Sequence, residues 1–238
     1  MTQLFFSDYD IESDYDIEST DARPPLVIFG AGGLGREVLL LVQQLNDVQP
    51  TWQVRGFYDD YAPATPTVAG LPYLGTSADL NTTPEPLAVA VAVGSPAGRA
   101  AVVARLTSAQ LRFPRLVHPN VALHPRQRIV LGTGCIIQQS CVLTCDITLG
   151  RFVLLNLGCT VGHDAGLADF CSLMPHANVS GAARLAAGVY VGTNATVIQG
   201  VQVGENTILG AGAVAVRDLP ANVTAVGVPA RVIGSIKC

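Results

Sequence analysis

"LGRFVLLNLGCTVGHDAGLADFCSLM", residues 149–174, decides the fold. Its aliphatic residues follow neither the alternation of a strand nor the three-and-four spacing of a helix. They recur at every sixth position: Leu149, Leu155, Val161, Leu167 and Leu173. Extended both ways, this register runs unbroken from Leu131 to Ala215, fifteen aliphatic residues in succession. Two residues before each lies a second series, mostly small or β-branched, such as Val153, Ala165, Ala177 and Val189. Glycine often follows the aliphatic, as at Gly132, Gly150, Gly162, Gly192, Gly204 and Gly210. A period of six suits a coil in which each hexad makes one flat side, the aliphatic points inward and glycine eases the corner. Stacked coils bury both series as ladders. Four of the six cysteines, Cys135, Cys141, Cys159 and Cys171, fall in the smaller series and read as core filler.

Upstream of the repeats the pattern changes. "PLVIF" reads as a buried strand, "GAGGLG" as a turn and "REVLLLVQQL" as a helix. "WQVRGFYDD" is a second strand that ends in two acids, and "LAVAVAV" is a third, running into the helix of "GSPAGRAAVVARL". Alternating strand and helix predict a small Rossmann-like parallel α/β domain over residues 24–116, with the repeat domain at 117–238. Residues 7–18, "SDYDIESDYDIE", are an exact hexamer duplication, and residues 1–23 read as a disordered acidic tail.

That tail dominates the net charge of -4. It holds seven acids and one Arg, leaving eleven acids and thirteen bases in the rest. With no cluster of Lys or Arg, nucleic acid is not the expected partner. No apolar run approaches the ~20 residues of a membrane helix, and the start "MTQLFFSDYD" lacks the regions of a signal peptide. Widely spaced cysteines fit a reducing cytoplasm.

The glycines of "GAGGLG" at Gly30, Gly32 and Gly35 fit G-x-G-x-x-G between a strand and a helix, where free N–H groups receive phosphate. Only three strands are read before the repeats, half of a dinucleotide fold. That favours a nucleotide-sugar over NAD.

The hexads resemble those of the hexapeptide-repeat acyltransferases, which carry a left-handed parallel β-helix. From about residue 24 the chain is similar to their bacterial sugar-acyltransferase branch. Those enzymes acetylate nucleotide-linked amino sugars or sialic acid. "GAGGLGREV", "FYDD", "AVGSPAGR", "LVHPN", "NLGCTVGHD" and "VRDLPANVTAVGVPARVIG" carry the likeness, in that order. The resemblance implies a homotrimer with active sites in the grooves between neighbouring β-helices. It also implies direct transfer from acetyl-CoA with no metal and no acyl-enzyme.

His163 lies two residues after the inward Val161 and should point outward. An outward His is usually an ordinary solvated residue. In the family, however, "VGHD" marks a general base and its acid, here His163 and Asp164. Imidazole titrates near neutral pH and can take a proton there. The likeness further implies substrate contacts at Gly32, Gly33, Asp59, Asp60 and Asn156. It implies acetyl-CoA contacts at Gly181, Ala211, Gly212, Val228, Pro229 and Arg231, with the Gly181 N–H facing the acetyl oxygen. Leu34 and Ser172 stand where relatives often have His, and Ser95 and Pro96 replace an amide-rich turn. These departures bear on the sugar pocket. His118 reads as structural, and His176 is a second candidate for the groove.

Three alternatives stand beside N-acetylation. One is O-acetylation of a sugar or sialic acid hydroxyl. Another is a non-catalytic nucleotide-binding scaffold. The third is a zinc lyase, which needs three converging His where the repeats hold only His163 and His176.

Overall fold

The computed structural model describes residues 23–236, so the duplicated acidic segment lies outside the described residues. The first part comprises β1 (Pro25–Phe29), α1 (Gly33–Val48), β2 (Gln53–Tyr58), β3 (Thr67–Val68), β4 (Leu71–Gly75), α2 (Ser77–Leu80), β5 (Leu87–Val91), α3 (Pro96–Arg105) and β6 (Leu111–Arg112). The sheet order is β3-β4-β2-β1-β5-β6, parallel except for the β3–β4 hairpin. Strands β1 and β5 are buried on both faces, which is why they read as continuous apolar runs. The three expected strands are β1, β2 and β5, and the sheet has three more. Strands β3 and β6 have two residues each, and β4 is only half-buried, so none carries a legible pattern.

From Leu116 onward the chain forms a left-handed parallel β-helix. Each coil takes eighteen residues: Leu154 pairs with Ser172, Val142 with Thr160 and Thr148 with Gly166. Three faces result. Face 1 includes Leu116–Val117, Ile136–Ile137, Leu154–Leu155 and Ser172–Leu173. Face 2 includes Val142–Leu143, Thr160–Val161 and Asn178–Val179, and face 3 includes Thr148–Leu149, Gly166–Leu167 and Arg184–Leu185. Both inward series are buried, the aliphatics from Ile137 to Ala215 and the smaller residues from Cys135 to Ala213.

The corners correct one expectation. The residue in the left-handed region lies three positions after each aliphatic. From Gly134 to Gly212, fourteen successive positions six apart have φ between 55° and 74°. Only some are glycine; the rest include Asp146, Phe152, Asp164, His176 and Asn194. The glycines directly after the aliphatics serve close approach instead. A Cβ on Gly162 would stand 2.6 Å from the Gly181 nitrogen, and one on Gly192 would stand 2.6 Å from the Ala211 nitrogen. A side chain at these places would wedge successive coils apart.

The α/β part docks on face 1. The outward residues Leu116, Ile136 and Leu154 are buried against Val38 and Leu41 of α1. At the edge between faces 3 and 1, Phe152 and Phe170 stack with centroids 5.4 Å apart, and Phe113 meets Phe152 edge-on. Between these contacts lies Arg99, 2% exposed, with no carboxylate partner among the described residues. Its guanidinium donates to the carbonyls of Val93 (2.6 Å), Phe152 (2.9 Å), Phe170 (2.8 Å) and Cys171 (3.0 Å) and to Ser172 Oγ (2.8 Å). Burial pushes the group down to about 10, so it remains a cation at neutral pH. Ser172 Oγ donates onward to the Gly94 carbonyl at 2.8 Å, which completes the joint.

Arg99→Ala should therefore destabilise the protein by about 3 kcal/mol or more, because several buried carbonyls lose their donor together. Arg99→Lys should fall in the same direction, since one ammonium cannot reach carbonyls on both domains. Urea unfolding followed by circular dichroism measures both.

Candidate active site

His163 and Asp164 sit at the corner between faces 2 and 3. Asp164 is the left-handed residue of that corner, with φ 59°, and Asp is among the residues that tolerate this conformation. The turn brings its carboxylate back onto the preceding side chain: His163 Nδ1 lies 2.8 Å from Asp164 Oδ2. An ionised carboxylate only accepts, so Nδ1 carries the hydrogen and Nε2 keeps its lone pair. That nitrogen lies over the next coil. A Cβ on Gly181 would stand 2.6 Å from Nε2. Glycine at 181 thus makes room for the ring, and its backbone lies directly beside the imidazole.

The neighbours of this corner follow from the register. One coil earlier are Cys145 and Asp146, and Asp146 is paired with Arg128 at 2.6 Å. One coil later, Arg184 reaches back over Gly166 and donates to the Asp164 carbonyl. Sequence reading missed all four residues. Subtracting eighteen from His163 and Asp164 points to Cys145 and Asp146.

Asn156 and His176 lie elsewhere, at the corner between faces 1 and 2. Asn156 is 8% exposed, and its Oδ1 accepts the Leu157 N–H at 2.7 Å. His176 is the left-handed residue of the next coil, and its ring leans on Gly158. Ala211 and Gly212 belong to the same edge two coils further on. One side of a coil, up to about 20 Å of extended chain, separates this edge from His163. The two histidines therefore do not converge, and no cluster of three His, Cys, Asp or Glu suited to a metal occurs among the described residues.

The glycine-rich turn divides by cause. Gly30 has φ 117°, and a Cβ there would meet the Ala92 carbonyl oxygen at 2.5 Å; one on Gly35 would run into the Gly30 carbonyl. The fold itself requires both. A Cβ on Gly32 would meet nothing within 4 Å, and one on Gly33 only Arg36 Nη2 at 4.0 Å. These two bare residues open α1, which has no side-chain cap. Asp59 accepts the Ala31 N–H at 2.8 Å and so borders the turn. Asp60 does not: it accepts from the Ser77 N–H at 2.8 Å and from Arg105 at 2.7 Å. It ties β2 to α2 and α3.

The remaining residues are plainly placed. Ser95 caps α3 through Gly98 N–H, with Pro96 opening the helix. Ser172 belongs to the domain joint and Leu34 rests near Gly94. His118 is 7% exposed, with Nε2 3.1 Å from Gln44 Oε1, and so links α1 to the first coil. Val228 is exposed, and Arg231 Nη1 donates to the Ala230 carbonyl at 3.0 Å. A cavity of about 500 Å³ lined by Pro25, Gln53, Arg55 and Glu85 opens at the N-terminal end of the parallel strands. Ligands of such sheets bind at the opposite, C-terminal end, where the glycine turn lies.

Residues 25–106 match the family described as PglD N-terminal domain. Over 211 residues the chain is 29% identical to a GDP-perosamine N-acetyltransferase of Escherichia coli O157:H7, covering 86% of this chain and 94% of that protein. The fold is similar to PerB from Caulobacter crescentus, solved with CoA and GDP-perosamine: TM-score 0.80, 30% identity, 90% of this chain and 99% of that one. The acetyltransferase domain of PglB from Neisseria gonorrhoeae FA1090, solved with acetyl coenzyme A, gives TM-score 0.80 and 31% identity, over 89% of this chain and all of that one.

Gly181→Ala should push the imidazole off Asp164 without unfolding the coil. With four histidines in the chain, selectively labelled imidazoles should show a large change for His163 alone, while the melting temperature stays near that of the wild type.

Proposed function

The chain belongs to the hexapeptide-repeat sugar acetyltransferases with a left-handed β-helix, and on that premise we propose that it transfers acetyl from acetyl-CoA to the amino group of a nucleotide-linked amino sugar. His163 is the general base. The observation that carries this role is the placing of the imidazole, with Nδ1 2.8 Å from Asp164 Oδ2 and Nε2 beside Gly181.

In this reaction Nε2 takes a proton from the acceptor nitrogen as that nitrogen attacks the thioester carbonyl. The new C–N bond forms, the C–S bond breaks, and CoA leaves as a thiolate that is then protonated. Gly181 lies beside the imidazole, and its N–H is the donor proposed for the developing oxyanion. No cysteine is needed as nucleophile. Burial raises Cys135 to about 11 and Cys171 to about 12, which keeps both as thiols. Desolvation also raises Cys145, beside the base. A reducing compartment such as the cytoplasm suits the five free cysteines among the described residues.

Gly32, Gly33 and Asp59 receive the nucleotide-sugar at the N-terminus of α1. Asn156 contacts the sugar side of the site. Ala211, Gly212 and the segment from Val228 through Pro229 to Arg231 line the acetyl-CoA path. Within one chain these groups lie across face 2 or beyond it from His163. A threefold assembly removes the separation, because the His163 edge of one copy can meet the Asn156 edge of the next. The active protein is therefore proposed to be a homotrimer with shared sites. GDP-perosamine is the first acceptor to assay, followed by UDP- and dTDP-linked amino sugars, with mass detection of the acetylated product.

His163→Asn should lower kcat by roughly 10²–10⁴, the usual contribution of a positioned general base. KM for acetyl-CoA should change little, since the imidazole does not hold the cofactor. Steady-state kinetics against the active acceptor decides this, and near wild-type kcat would overturn the assignment.

The shared site has its own test. His163→Asn and Gly33→Val are each expected to be inactive, the second by blocking the phosphate turn. Refolded together, they should regain activity in about a quarter of the sites, where an intact His163 faces an intact turn on a neighbour. No recovery would place the whole site within one chain.

A further inference from the structure

Arg128, Asp146 and Asp164 occupy the same left-handed corner in three successive coils, with φ of 51°, 57° and 59°. The Asp146 N–H donates to the Gln127 carbonyl at 2.7 Å, and the Asp164 N–H donates to the Cys145 carbonyl at 3.1 Å. The corners are thus about one strand spacing apart, ~4.8 Å. Arg128 grips Asp146 at two points, Nε to Oδ1 and Nη2 to Oδ2, both at 2.6 Å. His163 consequently has two carboxylates within reach. Asp164 bonds its Nδ1, and Asp146 stands on the preceding rung with its charge balanced by Arg128.

The other groups facing the imidazole are few. The Cys145 thiol is bonded to Asp146 and raised by desolvation, so it is uncharged. Arg184 comes from the following rung and is engaged by the Asp164 and Ala183 carbonyls. Gly162 and Gly181 carry no charge. The hydrogen bonds from Arg128 hold the Asp146 carboxyl below its ordinary range, so it is an anion whenever His163 is at work.

We propose that Arg128 and Asp146 are positioning residues for the reaction: their pairing cancels the second carboxylate beside His163 and keeps the imidazole available as a neutral base. The proposal rests on the reading of His163 as the base. An unpaired carboxylate one rung away would favour the imidazolium. A charge at about 6 Å in solvent-like surroundings is worth up to about half a pH unit, and salt weakens it. The arrangement leaves Asp164 to orient the ring while the charge of Asp146 is prevented from favouring the imidazolium.

The test is an imidazole titration by nuclear magnetic resonance on the full chain with labelled histidine, the His163 signal being identified by its loss in His163→Asn. In Arg128→Gln the His163 midpoint should rise by up to about half a unit, because Asp146 is released. In Asp146→Asn it should fall, because Arg128 is left as an unpaired cation. The double variant should return close to wild type, and both single shifts should shrink at high salt. Two single variants that shift in the same direction, or not at all, would overturn the proposal, as would a double variant that does not return. The base assignment is judged separately by turnover of His163→Asn, so either reading can fail alone.

Discussion

The register of the coil governs everything else in the molecule. Each N–H of a face bonds to a carbonyl one coil on, as from Val142 to Cys159 and from Thr160 to Ala177. Every residue therefore has fixed neighbours eighteen positions away. A left-handed residue at every sixth position keeps that register by making each corner turn alike. The contacts of the candidate site follow from this one rule. The His163 ring lies on Gly181, His176 leans on Gly158, and Asp146 stands above Asp164. Such contacts are set by backbone geometry, and no mobile loop is needed to assemble them.

The α/β domain must be held against this rigid prism, and the means is an unusual choice of partner. A buried guanidinium normally meets a carboxylate. Arg99 is surrounded instead by carbonyls from the end of β5 and from the corner between faces 3 and 1. The Cys171 carbonyl also accepts the Leu154 N–H, and one planar cation serves the buried carbonyls of both domains at once. The same corner holds Phe152 and Phe170 in the left-handed region, a costly conformation for a bulky side chain. Their stacking on each other, with Phe113 edge-on to Phe152, offsets that cost. Because Ser172 joins the cluster, a change there alters how the glycine-rich turn is aimed.

The sequence was legible where one physical demand repeats and illegible where a demand can be met in many ways. The inward series could be read because burial favours apolar side chains: its members from Cys135 to Ala215 are all buried, and the one polar member, Thr207, donates its hydroxyl to the Pro220 carbonyl. The corner series could not be read, since Ser140, Phe170, His176 and Ala182 all satisfy it. Glycine was noticed, yet its reason differs: Gly162 allows coils to touch, whereas Gly158 turns the chain. Asp59 and Asp60 looked equivalent as neighbours, and only their partners separate them, Ala31 for one and Ser77 with Arg105 for the other. Arg99 lay inside a quoted motif, but nothing in its spacing betrayed contacts more than fifty residues away.

A rigid coil also imposes a limit that bears on catalysis. It can hold His163, Asp164 and Gly181 in a fixed relation, but it cannot fold itself around a substrate. The glycine-rich turn is tied to face 1 by α1 and Arg99, while His163 stands at the far edge of face 2. No hinge in the described elements offers to close that gap, because the pairing that defines the faces would have to break. In the proposed trimer a neighbouring copy would supply the missing wall without any rearrangement, since its own edges are equally rigid and related by symmetry. On the proposed reading, the cost of a motionless base is thus an enzyme whose chemistry exists only between subunits.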